Sequence, residues 1–164
     1  MKTKEQLTIT ACVDLIKKHE GKVIRNSRHI VYTCPAGKKT IGYGRNLEAN
    51  GISEHEAEFL LYNDIDECLY VLSRIIKPHW DEMPDSIKLV LVDMIFALGP
   101  TGFKRWLRLI AAAKLFNKDL MIKELKDSKW YNGIGKNRID DLISILKAKE
   151  GCSPLQGLCE EEGK

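Results

Sequence analysis

Between Ser53 and Ile76 the chain carries an unbroken helical pattern, and that stretch limits the folds open to it more than any other. Ser53-Glu54-His55-Glu56 is a capping box: the serine side chain takes the amide three residues on, while Glu56 reaches back to the serine amide. Apolar residues at Ala57, Leu60, Leu61, Ile65, Cys68, Leu69, Leu72, Ile75 and Ile76 then keep helical spacing until Lys77-Pro78 stops it. At about 1.5 Å per residue such a helix spans a small domain, as a bridge between two lobes does. Downstream, further helices are predicted over Pro84 to Leu98, closed by Gly99-Pro100, then Phe103 to about Phe116, Asn117 to Lys126, and Asn137 to Lys149. A core for them is drawn from Ile87, Val90, Leu91, Met94, Ile95, Leu107, Ile110, Leu125, Trp130, Ile139, Leu142, Ile143 and Leu146.

Upstream the pattern changes. A first helix is predicted from about Leu7 or Thr10 to about His19, with Ile9, Cys12, Val13 and Ile16 on one face, and Gly21 ends it with Glu20 at the rim. From Lys22 to Gly44, β-branched and aromatic runs alternate with turn residues: Val23-Ile24, a turn at Asn26-Ser27, His29-Ile30-Val31-Tyr32, a turn at Pro35-Ala36-Gly37, then Lys39-Thr40-Ile41. This reads as a small antiparallel meander, too small to stand without helices against it. The fold class is therefore α+β and mostly helical: a small amino-terminal lobe with a short antiparallel sheet, a long linking helix, and a helical carboxyl-terminal lobe. One domain over residues 1–164 is expected, with sublobes at about 13–62 and about 78–150, the latter joined by the first helix. The polar, Glu-rich end at 151–164 is expected to be a mobile tail.

No run approaches the ~18 uninterrupted apolar residues of a bilayer span, and the amino terminus is too short and polar for a signal h-region, so stable membrane insertion is not expected. Cys12, Cys34, Cys68, Cys152 and Cys159 form no Cys-x-x-Cys pair and have no histidines at ligand spacing, which predicts free thiols and no metal. Cys152 and Cys159 are close enough for a small disulfide loop, though thiols fit a reducing compartment better. A formal charge of +3 suits an acidic polymer but equally suits weak nucleic-acid contact.

The chemistry gathers at the amino end. His19-Glu20-Gly21 sets an acid at a helix tip, and Tyr32-Thr33-Cys34-Pro35-Ala36-Gly37-Lys38-Lys39-Thr40-Ile41-Gly42-Tyr43-Gly44 runs a strand to a thiol and a glycine-bounded hairpin back to a threonine. Glu, Cys and Thr can thus converge in one small cleft. Each has a plainer reading: Glu20 as an exposed helix-end acid paired with Lys17, Cys34 as a buried small apolar residue, Thr40 as an ordinary strand residue.

These segments resemble the phage-type lysozymes, the endolysins of the T4 lysozyme-like family (glycoside hydrolase family 24). Asp93-Met94-Ile95-Phe96-Ala97-Leu98-Gly99-Pro100-Thr101-Gly102-Phe103, and Ser128-Lys129-Trp130-Tyr131-Asn132 with Asn137-Arg138, follow in the family's order, so the resemblance runs from about Leu15 to about Ile145. It implies a long helix linking two lobes and a catalytic set of Glu20, Cys34 and Thr40. Glu20 would be the general acid, its pKa raised by partial removal from water. Cys34, where many members have aspartate, and Thr40 would handle the attacking water. Phe96 matches a substrate-contacting position, and Arg138 an arginine beside the acid; a surface arginine at a helix start is the plainer reading of the latter. Arg45 and Asp64 match a pair joining hairpin and long helix. Glu20 and Cys34 are further apart than the family commonly has them, and the extra residues most simply lengthen the first hairpin. A one-residue shift of register would instead turn Cys34 away.

The activity implied is hydrolysis of the β-1,4 bond between N-acetylmuramic acid and N-acetylglucosamine in bacterial peptidoglycan, for host cell lysis, without a cofactor. Such a protein would act as a monomer, accumulate in the host cytoplasm, and reach the wall after a holin-type protein permeabilises the inner membrane. A lytic transglycosylase and a non-catalytic peptidoglycan-binding module remain as alternatives. Nucleic acid is not an expected partner, since no basic recognition stripe is present.

Overall fold

A computed structural model describes residues 4–131 and 135–148, and among the described residues it has seven helices and five short strands. Cys152, Cys159 and the tail from Gly151 lie outside the described residues. The chain divides into two compact units, Met1–Phe59 and Leu60–Lys164.

In the first unit, α1 (Lys4–His19) begins earlier than its apolar spacing suggested and leaves Ile9, Val13, Leu15 and Ile16 exposed. β1 (Ile24–Arg25) and β2 (Arg28–His29) pair antiparallel around Asn26-Ser27, and Ile30 N–H closes the base on the Val23 carbonyl at 3.0 Å. This hairpin takes up the residues between Glu20 and the next strand. β3 (Tyr32–Thr33), β4 (Lys39–Ile41) and β5 (Arg45–Asn46) form a separate three-stranded antiparallel sheet. The single meander expected is therefore two sheets, because the run His29–Tyr32 leaves strand conformation at Ile30-Val31. Neither β5 nor α2 (Leu47–Asn50) was foreseen; Asn46 caps α2 by accepting from the Glu48 and Ala49 amides.

The capping box forms as read. Glu56 N–H donates to Ser53 Oγ at 3.3 Å, Ser53 N–H donates to Glu56 Oε2 at 2.8 Å, and α3 runs Glu54–Ile76 over 23 residues. It starts in the first unit and continues into the second.

The second unit adds α4 (Asp85–Phe103), α5 (Leu107–Lys114), α6 (Lys118–Lys126) and α7 (Lys136–Lys147). Gly99-Pro100 does not close α4. Gly99 leaves the helical region (φ 66°, ψ 164°), and the chain turns helical again at Pro100, whose fixed φ and missing N–H suit a first helical position. By length and composition α4 could cross a membrane, but Ile87, Val90, Leu91, Met94, Ile95 and Phe103 are buried within this unit, as a core helix requires. Most of the expected core is buried. Leu107 is the exception at 72% exposure, because it opens α5 on the solvent side, while Leu109 and Ile110 turn inward; Trp130 is only half-buried.

Candidate active site

Three local structures set the geometry of the first unit. α1 ends on a regular bond from Glu20 N–H to the Ile16 carbonyl at 2.8 Å, so Glu20 stands at the carboxyl end of the helix with its side chain exposed, not half removed from water as expected. Tyr32 on β3 reaches the same point: its hydroxyl donates to the Gly21 carbonyl at 3.4 Å. The turn between β4 and β5 completes the set. A Cβ on Gly44 would lie 2.6 Å from Glu20 Oε2 and 3.0 Å from its Cδ, which places the carboxylate directly over that glycine.

Between its two glycines the same turn projects Tyr43. Its ring has the ammonium groups of Lys17 and Lys22 at 5.4 and 5.7 Å, and the His29 ring packs edge-on to it with centroids 5.2 Å apart. Sequence reading missed this cluster. The signal was present in Gly42-Tyr43-Gly44, since two glycines at positive φ (63° and 82°) turn the intervening side chain out of the ladder.

Register brings the thiol and the hydroxyl together. Tyr32 pairs with Thr40 and Thr33 with Lys39, so Cys34, two residues beyond Tyr32, shares a face with Thr40. Cys34 N–H donates to the Lys38 carbonyl at 3.0 Å and Gly37 N–H to the Cys34 carbonyl at 2.8 Å, which curls Pro35–Gly37 tightly under the sulfur. The half-buried thiol has its pKa lowered chiefly by the Lys38 amide and then by the Thr40 hydroxyl, against a smaller upward push from burial. Thr40 is itself 3% exposed, and its hydroxyl donates to the Lys38 carbonyl at 3.1 Å. The Lys38 amide and the Thr40 hydroxyl beside the sulfur thus favour its ionised form. Among the described residues no group of three His, Cys, Asp or Glu side chains gathers as a metal site.

Arg45 pairs with Glu56 at 3.1 Å and donates to the Gly51 carbonyl at 2.8 Å. The acid it takes is therefore Glu56, where the sequence pointed to Asp64. The Ser53 cap already orients Glu56 Oε2, and the Ser53 amide is the main reason the Glu56 pKa is lowered, with Arg45 a lesser one. A carboxylate pre-set in this way is the better partner.

In the second unit, Arg138 on α7 grips Asp93 on α4 with both arms of its guanidinium, each at 2.7 Å, and also donates to the Asp93 carbonyl at 3.3 Å. The Phe96 ring is 46% exposed and lines a pocket of about 310 Å³ with Asp64, Glu67, Cys68, Val71, Ile95, Gly99 and Pro100.

The sequence model of a family described as phage lysozyme matches residues 17–145, a span that contains Glu20, Cys34, Thr40, Phe96 and Arg138. No curated protein matches the chain.

Proposed function

Because the chain belongs to the phage lysozyme family, whose members break down peptidoglycan, we propose that it is an endolysin hydrolysing the β-1,4 bond between N-acetylmuramic acid and N-acetylglucosamine. Glu20 protonates the glycosidic oxygen as the bond to the anomeric carbon breaks and its electrons go to that oxygen. A water adds to the anomeric carbon and passes its proton to Cys34, while the Thr40 hydroxyl holds it in line. The observation that carries this reading is that Cys34 and Thr40 share one face of the hairpin, where the Lys38 amide and the Thr40 hydroxyl favour the ionised sulfur. They lower the thiol's pKa toward the ionised state that an aspartate, common at this position, reaches without help. Phe96 offers its exposed ring to a sugar, and Arg138, steadied by Asp93, offers charge to the substrate. On this reading the two units are sublobes of one monomeric lysozyme-like domain. The protein is made in the host cytoplasm and reaches the wall once a holin-type protein opens the inner membrane.

Glu20→Gln tests it. The variant is expected to fold, to sediment with purified peptidoglycan and to leave a cell-wall suspension turbid; retained clearing refutes the assignment. Mass spectrometry of sugars released by the unaltered protein is expected to show reducing-end products. Anhydro products, lighter by one water, would mean a transglycosylase instead.

A further inference from the structure

The turn that carries Gly42-Tyr43-Gly44 holds two glycines in the same backbone region, and only one of them has a neighbour in the space a side chain would fill. Both have positive φ, 63° at Gly42 and 82° at Gly44. A Cβ built on Gly42 meets nothing within 4 Å. On Gly44 it meets Glu20 three times: Oε2 at 2.6 Å, Cδ at 3.0 Å and Cγ at 3.5 Å. Real Cβ atoms essentially never come within 3.0 Å of a heavy atom from a residue distant in the chain, so an added methyl and this position of the carboxylate exclude one another.

What yields is also clear. The atoms in the way are the far end of a flexible side chain, not backbone, and Glu20 is exposed. Its carboxylate can swing off the turn with no disturbance of the sheet. A side chain at residue 44 therefore moves the carboxylate rather than breaking the fold around it.

We infer that Gly44 is a positioning residue: the missing side chain forms the seat that holds the Glu20 carboxylate against the hairpin. The inference rests on the reading of Glu20 as the acid, and adds that the acid's place is set by the turn. A proton donor must lie within hydrogen-bonding reach of the oxygen it protonates, so a carboxylate displaced by an ångström or more leaves substrate binding alone and slows the chemical step.

Gly42→Ala is the matched control, since it brings the same kind of left-handed strain with open space around the new methyl. Both alanine variants are expected to lose thermal stability to a similar degree and to keep KM for purified peptidoglycan within about twofold of the unaltered protein. Gly44→Ala alone is expected to lose kcat, by about tenfold to a hundredfold. Gly44→Asn serves if the alanine variant does not fold, because asparagine accepts positive φ more readily and still carries a Cβ. A cycle with Glu20→Asp isolates the contact. The shorter side chain puts its carboxyl carbon near the site of the glutamate Cγ, 3.5 Å from the new methyl, and its nearer oxygen no closer than the glutamate Cδ at 3.0 Å, so Gly44→Ala is expected to cost kcat less in that background. Equal kcat for the residue-42 and residue-44 variants, or a Gly44→Ala loss of kcat that is the same with and without Glu20→Asp, overturns the inference. Glu20→Gln measured alongside separates the two failures. If it stays active, the role of Glu20 is wrong; if it is inactive while Gly44→Ala matches Gly42→Ala, only the seat is wrong.

Discussion

At the scale of single residues, the sulfur of Cys34 depends on what surrounds it. The Lys38 amide and the Thr40 hydroxyl favour the thiolate, so the folded pKa lies below that of the same cysteine in an unfolded chain. The stabilisation they give is present when the sulfur is ionised: fully so above the unfolded pKa, and lost as pH falls through the folded one. Alkylation by iodoacetamide, followed by mass spectrometry of the Cys34 peptide, is expected to rise with pH at a midpoint below that of the same cysteine in the urea-unfolded chain. Thr40→Val removes one of the donors and is expected to move that midpoint part of the way back up, the Lys38 amide keeping the rest. A Cys34 midpoint equal to that of the unfolded chain, or one indifferent to Thr40→Val, would remove the thiolate from the proposed mechanism. The hairpin behind this was legible in the sequence, because a β-branched run, the turn residues Pro35-Ala36-Gly37 and a second run predict a strand that returns on the first. The exposure of Glu20 and its seat on Gly44 were not, since they depend on where the end of α1 meets a turn more than twenty positions along the chain.

Among the elements, the first hairpin shows what local pattern can and cannot reveal. Asn26-Ser27 was readable as a turn, and it is one, with both residues left-handed at φ 49° and 61°. That is the geometry of a type I′ turn, whose twist matches the flanking strands. Asparagine tolerates it; serine at the second position carries a steric cost. Ser27→Gly is expected to raise stability by about 0.5–1 kcal/mol, the relief of strain being partly offset by the greater freedom of glycine in the unfolded chain. Urea unfolding measures it, and a decrease in midpoint would show that the Ser27 side chain contributes more than its backbone strain costs. Capping was equally legible at α3, where Ser53 and Glu56 exchange hydrogen bonds within four residues. The break between the two sheets and the resumption of helix at Pro100 were less so. Strand pairing depends on partners distant in sequence, and a Gly-Pro pair marks an interruption without fixing whether the helix ends there or resumes.

Across the whole chain, burial is uneven. Among the described residues every buried hydrophobic side chain belongs to the second unit, from Leu72 to Leu146, whereas the first unit buries Thr40 and exposes Val13, Ile16, Ile24, Val31 and Ile52. The helical periods that announced the core and the motif that announced the site were therefore read from different parts of the chain, and they describe parts of different stability. Helices of the second unit are expected to exchange their amide hydrogens only through global unfolding, while β3, β4 and β5 exchange through smaller local openings. Phe103 offers a test of that division. It is fully buried and among the larger core side chains, so Phe103→Ala is expected to cost about 3–5 kcal/mol. In hydrogen exchange the loss should appear in full at the amides of α4 and α7. At Thr33, Lys39 and Thr40 it should be absent, as long as the weakened global stability still exceeds the free energy of their own opening. Equal loss at both sets of amides would mean that strands and helices open as one cooperative body, and that the hairpin of Cys34 and Thr40 draws its rigidity from the helical core.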